Sequence, residues 1–169
     1  MPITFAPEAP SHGAAIQQLL ESAFDADWAN RPAARLRASV APLAELALVA
    51  LDGASVVGTI RYYPVSFGHA RLPGLMLGPL AVRMALRGQG VAQVLMHISL
   101  AHARNQGWER VVLVGDPDYY GRLGFVPAWP YGLTLDGETD RLQVLGLEPG
   151  ALDGIAGPVA TGEWVRRVA

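Results

Sequence analysis

Residues 77–92 read Leu77-Gly78-Pro79-Leu80-Ala81-Val82-Arg83-Met84-Ala85-Leu86-Arg87-Gly88-Gln89-Gly90-Val91-Ala92, and this stretch decides the fold. An apolar strand runs into a turn with glycines at alternate positions, and an amphipathic helix follows directly. Val91, Val94, Leu95, Ile98 and Ala101 recur at near-helical spacing from a start near Gly90. The helix should stop near Gln106, because Gly107 is suited to a left-handed C-cap. A helix start presents unpaired N–H groups and the positive end of the dipole. Glycines at such a start let a phosphate approach the backbone with no Cβ in the way. The segment therefore reads as a pyrophosphate cradle.

Spacing narrows which cradle it is. A dinucleotide fingerprint needs a third glycine where Gln93 stands, and its acidic residue belongs at the end of a second strand, whereas Glu109 follows the helix. A phosphate loop of the G-x-x-x-x-G-K type is excluded, since the chain has no lysine. What fits is Arg87-x-x-Gly90-x-Ala92, which resembles the acyl-CoA pyrophosphate motif of the GNAT superfamily of N-acetyltransferases, [Gln/Arg]-x-x-Gly-x-[Gly/Ala]. Downstream, Arg110–Val114 is a β-branched run and a buried strand. Asp116 and Pro117 then suit the N-cap and first position of a short helix that Gly124 ends. GNAT proteins carry a tyrosine about four residues before a Gly-Phe pair at this place, and Tyr120, ahead of Gly124-Phe125, matches that resemblance. The resemblance covers roughly residues 75–126, the cofactor half.

The remaining sequence agrees with an α/β reading. Ile3–Ala6 is a first strand, and Ser11 or His12 opens a helix with Ala15, Ile16, Leu19, Leu20 and Phe24 on one face. Asp25–Asn30 reads as a loop and Pro32–Val40 as a second helix. Glu45–Leu51 and Val56–Phe67 form a hairpin around Asp52-Gly53. A turn at Gly68-His69 leads to the strand ending at Val82. Late strands are expected near Leu133–Leu135 and Leu142–Leu147, connected by Asp136-Gly137-Glu138-Thr139. Resemblance to GNAT implies a mixed, twisted sheet with helices on both faces. It also implies two central strands that splay to hold acyl-CoA, pantetheine pairing with the first of them as an added strand.

Composition bounds the alternatives. The chain has 169 residues, 51% of them apolar and 17% charged, and reads as one domain over 1–169. A net charge of −2 with no basic run gives no reason to expect nucleic acid. The absence of cysteine excludes disulfides, thiolate metal sites and a thiol nucleophile. No apolar run reaches membrane-spanning length, and the N-terminus lacks the regions of a signal peptide, so the expected location is cytoplasmic. His97 and His102, five residues apart on the cradle helix, do not share a face as metal ligands, and no metal is expected.

Carried over residue by residue, the resemblance implies that Leu80, Ala81 and Val82 supply the backbone edge for acetyl-CoA. Arg87, Gly88, Gln89, Gly90, Val91 and Ala92 would surround the pyrophosphate. Amide formation needs an amine as its free base, although an unperturbed amine has a pKa of about 10. It also benefits from a backbone N–H on the thioester oxygen and from an acid for a departing thiolate of pKa near 8.5. An N–H near Leu80–Val82 and Tyr120 are the candidates, with Tyr119 the alternative tyrosine. The general base stays unassigned. Family members often draw it from the cradle strand, but Leu72–Val82 contains no acid. Asp116 is a candidate that also reads as an N-cap, and His69 is a remote one. Asp25, Asp27 and Trp28 suit either an acceptor loop or an exposed acidic one. Trp28, Tyr62, Tyr63, Trp129 and Tyr131 suggest a partly aromatic acceptor pocket or ordinary core and surface aromatics.

The expected activity is acetyl-CoA-dependent N-acetylation of a primary amine on a small molecule or peptide. A non-catalytic acyl-CoA-binding sensor or interaction module is the alternative, and a protein holding another nucleotide's pyrophosphate is a third. Acyl-chain length and a homodimer built on an exposed strand edge are left open.

Overall fold

A computed structural model describes residues 2–138 and 140–162. Strand β1 (Ile3–Pro7) leads through a 3-10 turn to helix α1 (Gly13–Ala23). Trp28–Asn30, inside the expected loop, forms a further 3-10 turn, and α2 (Pro32–Ala38) follows. Strands β2 (Leu48–Asp52), β3 (Ser55–Phe67) and β4 (Leu72–Val82) form an antiparallel meander. After α3 (Val91–Asn105) come β5 (Arg110–Val114) and α4 (Pro117–Gly121). The remaining strands are β6 (Val126–Pro127), β7 (Leu133–Thr134), β8 (Leu142–Gly146) and β9 (Gly157–Thr161).

The main path through the sheet runs β1-β2-β3-β4-β5-β8-β6, with β4 and β5 parallel. Strand β3 is long enough to host two neighbours on one edge. Its first half pairs with β2 and its last three residues pair with β9. Alternate residues feed opposite faces. Leu48, Ala50, Val57 and Ile60 pack with Leu95 and Met96 of α3, whereas Val49, Val56 and Ala81 pack with Ile16, Leu19 and Leu20 of α1. Ala33 of α2 joins Phe67, Met76 and Val112. Both faces being covered, the central strands read as continuous apolar runs rather than as alternation. Arg61 of β3 grips Glu8 through both carboxylate oxygens, at 2.9 and 2.6 Å, tying the end of β1 to the sheet.

Some boundaries and pairings differ from the sequence reading. Glu45 lies in a 3-10 turn, so β2 starts at Leu48. The α2 helix ends at Ala38, two residues short of Val40. The late strands are not neighbours: β7 runs parallel to β9, and β8 inserts between β5 and β6. Strand β9 has no alternating pattern to betray it, because its pairing is supplied by β3 and β7. Thr139, part of the expected connection, lies outside the described residues. No helix of the described residues is long and apolar enough to cross a membrane.

Candidate active site

Strands β4 and β5 pair only at Leu75–Val111 and Met76–Val112. Beyond that, β5 is paired only with β8, which lines its other edge from Arg110 to Val114, while β4 continues to Val82 against β3 alone. In an antiparallel pair, alternate residues aim their N–H and C=O away from the partner. From Leu77 onward those groups of β4 face a gap. A bulge sharpens the divergence: Tyr62 pairs with Leu77 and Ile60 with Leu80, so Gly78-Pro79, joined by a cis peptide, adds one residue to β4.

Helix α3 begins at the open end of that gap. Gly88 and Gly90 adopt φ of +78° and +83°, values that favour glycine, and carry the chain around to Val91. A Cβ on Gly88 would meet nothing within 4 Å, so the space before the helix is open. The first backbone bond into α3 is Val94 N–H to Gly90 O, which leaves the N–H groups of Val91, Ala92 and Gln93 as the orphaned donors of a helix start. Arg87 Nε donates to Val82 O at 3.3 Å, tying the turn to the end of β4.

One cavity of about 420 Å³ is lined by Leu80, Ala81, Val82, Arg87, Gly88, Gly90, Val91 and Ala92. Gln89 stands apart from it. Its N–H donates to Leu86 O and its side-chain amide to Ala85 O, so neither faces the cavity. A second cavity of about 550 Å³ lies over Leu77–Leu80 and Leu113–Asp116. Both are lined by Phe24, Leu80, Tyr119 and Tyr120, so they meet at the strand splay.

Tyr120 is fixed from several sides. Its ring stands edge-on to Tyr119 and Phe125, with centroids 4.9 and 6.0 Å away. Its carbonyl accepts from both Leu123 N–H and Phe125 N–H. Burial, with smaller contributions from Tyr119 and Asp116, pushes its phenol up to about 12, against a downward pull from Arg141. It therefore holds its proton at neutral pH. Burial also raises the Tyr119 phenol. Asp116 caps α4 by accepting Asp118 N–H at 3.0 Å, and it also lines the second cavity. Its two readings are compatible.

The chain is 32% identical to the N-acetyltransferase YhbS of Escherichia coli K12 over 163 residues, spanning 95% of this chain and 96% of that protein. The model of the acetyltransferase (GNAT) family matches residues 13–125. The chain belongs to the GNAT family. Its fold superimposes on the crystal structure of the E. coli YhbS protein in complex with CoA, with a TM-score of 0.81 at 32% identity, covering 99% of this chain and 93% of that one. A GNAT acetyltransferase of Brucella melitensis in complex with acetyl-CoA matches at 0.71 and 29% identity, covering 96% and 97%.

Within this GNAT fold the proposed aromatic lining divides. Trp28 lines the second cavity, stacked on Phe24 with centroids 5.3 Å apart. Tyr62 is fully buried in the core, where its hydroxyl lies 2.8 Å from Ser99 Oγ. Tyr63 is buried outside both cavities, and Trp129 and Tyr131 are exposed elsewhere on the surface. His69 is held by the β9 side of the sheet, its N–H on Ala156 O. His97 and His102 are exposed. Among the described residues no cluster of His, Asp and Glu is arranged to hold a metal. Asp25 is paired with Arg31, and Asp27 is exposed outside the cavities. The sequence reading missed Arg37, Glu138 and Arg141, all of which line the second cavity. Arg37 comes from α2 and the other two from the connection between β7 and β8, about a hundred residues away, so no local spacing announces the set.

Proposed function

We propose that this protein transfers the acetyl group of acetyl-CoA to a primary amine by direct attack on the thioester. The observation that carries the proposal is the junction at Leu80 and Tyr120, where a glycine-lined helix start and an unpaired stretch of β4 open onto a second cavity with room for an acceptor. The open space at Gly88 and the orphaned N–H groups of α3 suit a pyrophosphate. We assign Leu80, Ala81, Val82, Arg87, Gly88, Gly90, Val91 and Ala92 to the cofactor. Gln89 contributes there only through the shape of the turn.

Acetyl-CoA supplies an acetyl group activated as a thioester. In the overall exchange an N–C bond forms, the C–S bond breaks, the nitrogen gives up a proton and the sulfur gains one. The outward-facing N–H groups of β4 beyond Met76 polarise the carbonyl. Tyr120, which keeps its proton at neutral pH, delivers it to the sulfur. The lack of an acid in Leu72–Val82 favours a binding module without turnover, but Asp116 and Glu138 bring carboxylates to the acceptor cavity from other elements.

A thermal-shift titration with acetyl-CoA tests the reading, with ATP and NAD as controls and Gly90→Glu as the site variant. A ligand bound only by the folded state at a hundred times its Kd adds roughly 2.7 kcal/mol of stability. The expected result is a saturable shift for acetyl-CoA alone, absent in the variant, followed by amine-dependent release of CoA. A shift with ATP or NAD instead, or none with acetyl-CoA, would overturn it. Acetyl-CoA binding with no release of CoA for any amine would favour the sensor reading.

A further inference from the structure

The acceptor cavity contains charges of both signs that are not spent on one another. Arg37, near the end of α2, brings its guanidinium to the β4 bulge: Nη1 lies 3.2 Å from where a Cβ on Gly78 would stand. Burial lowers its pKa, opposed by Tyr63, and it remains a cation. A half-buried guanidinium is best matched by a carboxylate or carbonyl oxygens. Among the described residues Arg37 has neither, the ion pairs there being Arg31–Asp25, Arg61–Glu8 and Arg110–Glu109, and its N–H groups are left to solvent. Its uncovered side faces the cavity, which Arg141 also lines without an ion pair. Arg31, on the same cavity, is already neutralised by Asp25 at 2.6 Å. Two carboxylates, Asp116 and Glu138, line the cavity as well, and neither is within 4.0 Å of Arg37 or Arg141.

We infer that the acceptor is a small zwitterion, a primary amine that also carries a carboxylate, with Arg37 binding the carboxylate through its planar fork of N–H donors. Its ammonium group faces Asp116 and Glu138, which accept the proton that must leave before attack. A plain amine would cover the half-exposed Arg37 charge without pairing it. A phosphate dianion would be repelled by the two carboxylates. Gly78 and Leu80 are only two residues apart on β4, at either side of the bulge. That span lets a single amino-acid-sized molecule reach both Arg37 and the junction at Leu80. The inference rests on the acetyl-transfer reading.

The test is a panel of the standard α-amino acids with β-alanine and γ-aminobutyrate, each beside its carboxamide, measured by CoA release from acetyl-CoA and by thermal shift with CoA present. At least one acid should be acetylated with kcat/KM about 10²-fold above its amide, as expected when one partner of a hydrogen-bonded charge pair is removed. Arg37→Gln should raise KM for that acid and level the pair, while the acetyl-CoA shift is kept. Equal use of acid and amide, an undiminished preference in Arg37→Gln, or no acid that binds or reacts would overturn the inference. Loss of the acetyl-CoA shift in the unaltered protein would instead overturn acetyl transfer itself. Should Arg37→Gln fail to fold, the acid–amide comparison on the unaltered protein decides alone.

Discussion

Gly115 and Tyr120 share one volume: the Tyr120 ring occupies the space that a Cβ on residue 115 would need. The first residue after β5 thus sets the position of the side chain at the junction of the two cavities, and only a hydrogen there permits it. Gly115→Ala should push the ring aside. Overpacking of this kind costs about 1–3 kcal/mol. A misplaced catalytic group costs far more in rate, roughly 10²-fold per ångström. The expected outcome is a modest fall in Tm with a disproportionate fall in kcat, measured by CoA release with the best amine of the panel.

Tyr119 and Tyr120 are adjacent, both face the cavities, and both have raised phenol pKa values, so substitution must separate them. Tyr120→Phe should lower kcat by about 10²-fold, the lower range for a general acid, while Tyr119→Phe retains most activity. The reverse ranking would reassign the acid to Tyr119.

The pH profile carries the sign of the Tyr120 shift. An acid must be protonated to act, so the alkaline loss of kcat due to this phenol should centre near pH 12 rather than 10. Because the folded value lies above the unfolded one, the stability tied to the neutral phenol is complete below pH 10. It is lost as the pH climbs from about 10 toward 12. In Tyr120→Phe this segment of the stability curve should become shallower, the remaining slope belonging to Tyr62 and Tyr119, as read by denaturant titration across that range.

Gln89 lies inside the glycine turn yet turns away from the cavity. Gln89→Ala should leave the acetyl-CoA Kd within a factor of a few, whereas Gly88→Val should weaken it at least about tenfold. The latter fills the open space and strains a positive φ of +78°. Calorimetric titration of both variants checks the contrast.

Ser99 Oγ donates to Leu95 O at 2.7 Å, so the Tyr62 hydroxyl is the donor toward Ser99. Removing the two partners is therefore unequal. Tyr62→Phe loses one buried bond, about 1 kcal/mol, while Ser99→Ala strands a buried phenol and costs about 1–3 kcal/mol. Urea unfolding should rank them so, with the acetyl-CoA Kd unchanged in both.

The cradle and the Tyr120 segment were legible because their information is local. Gly88, Gly90, Asp116-Pro117 and Gly124 act on backbone torsions and on bonds spanning a few residues, so spacing alone exposes them. The strand neighbours of β7 and β9 were not, because two-residue and five-residue segments gain their pairing from distant partners. Tyr62 shows the same limit: an aromatic in an apolar run looks alike whether it faces a pocket or α3.

What the sequence determined by itself was the helix start, the tyrosine ahead of Gly124-Phe125, and thereby the kind of cofactor site to look for. Tertiary structure alone decided that β4 and β5 part after Met76, that the ring of Tyr120 stands at the gap, and that Arg37, Glu138 and Arg141 meet around the second cavity. Torsional preferences are written residue by residue, whereas a cavity is a property of the surfaces that remain when distant elements have packed.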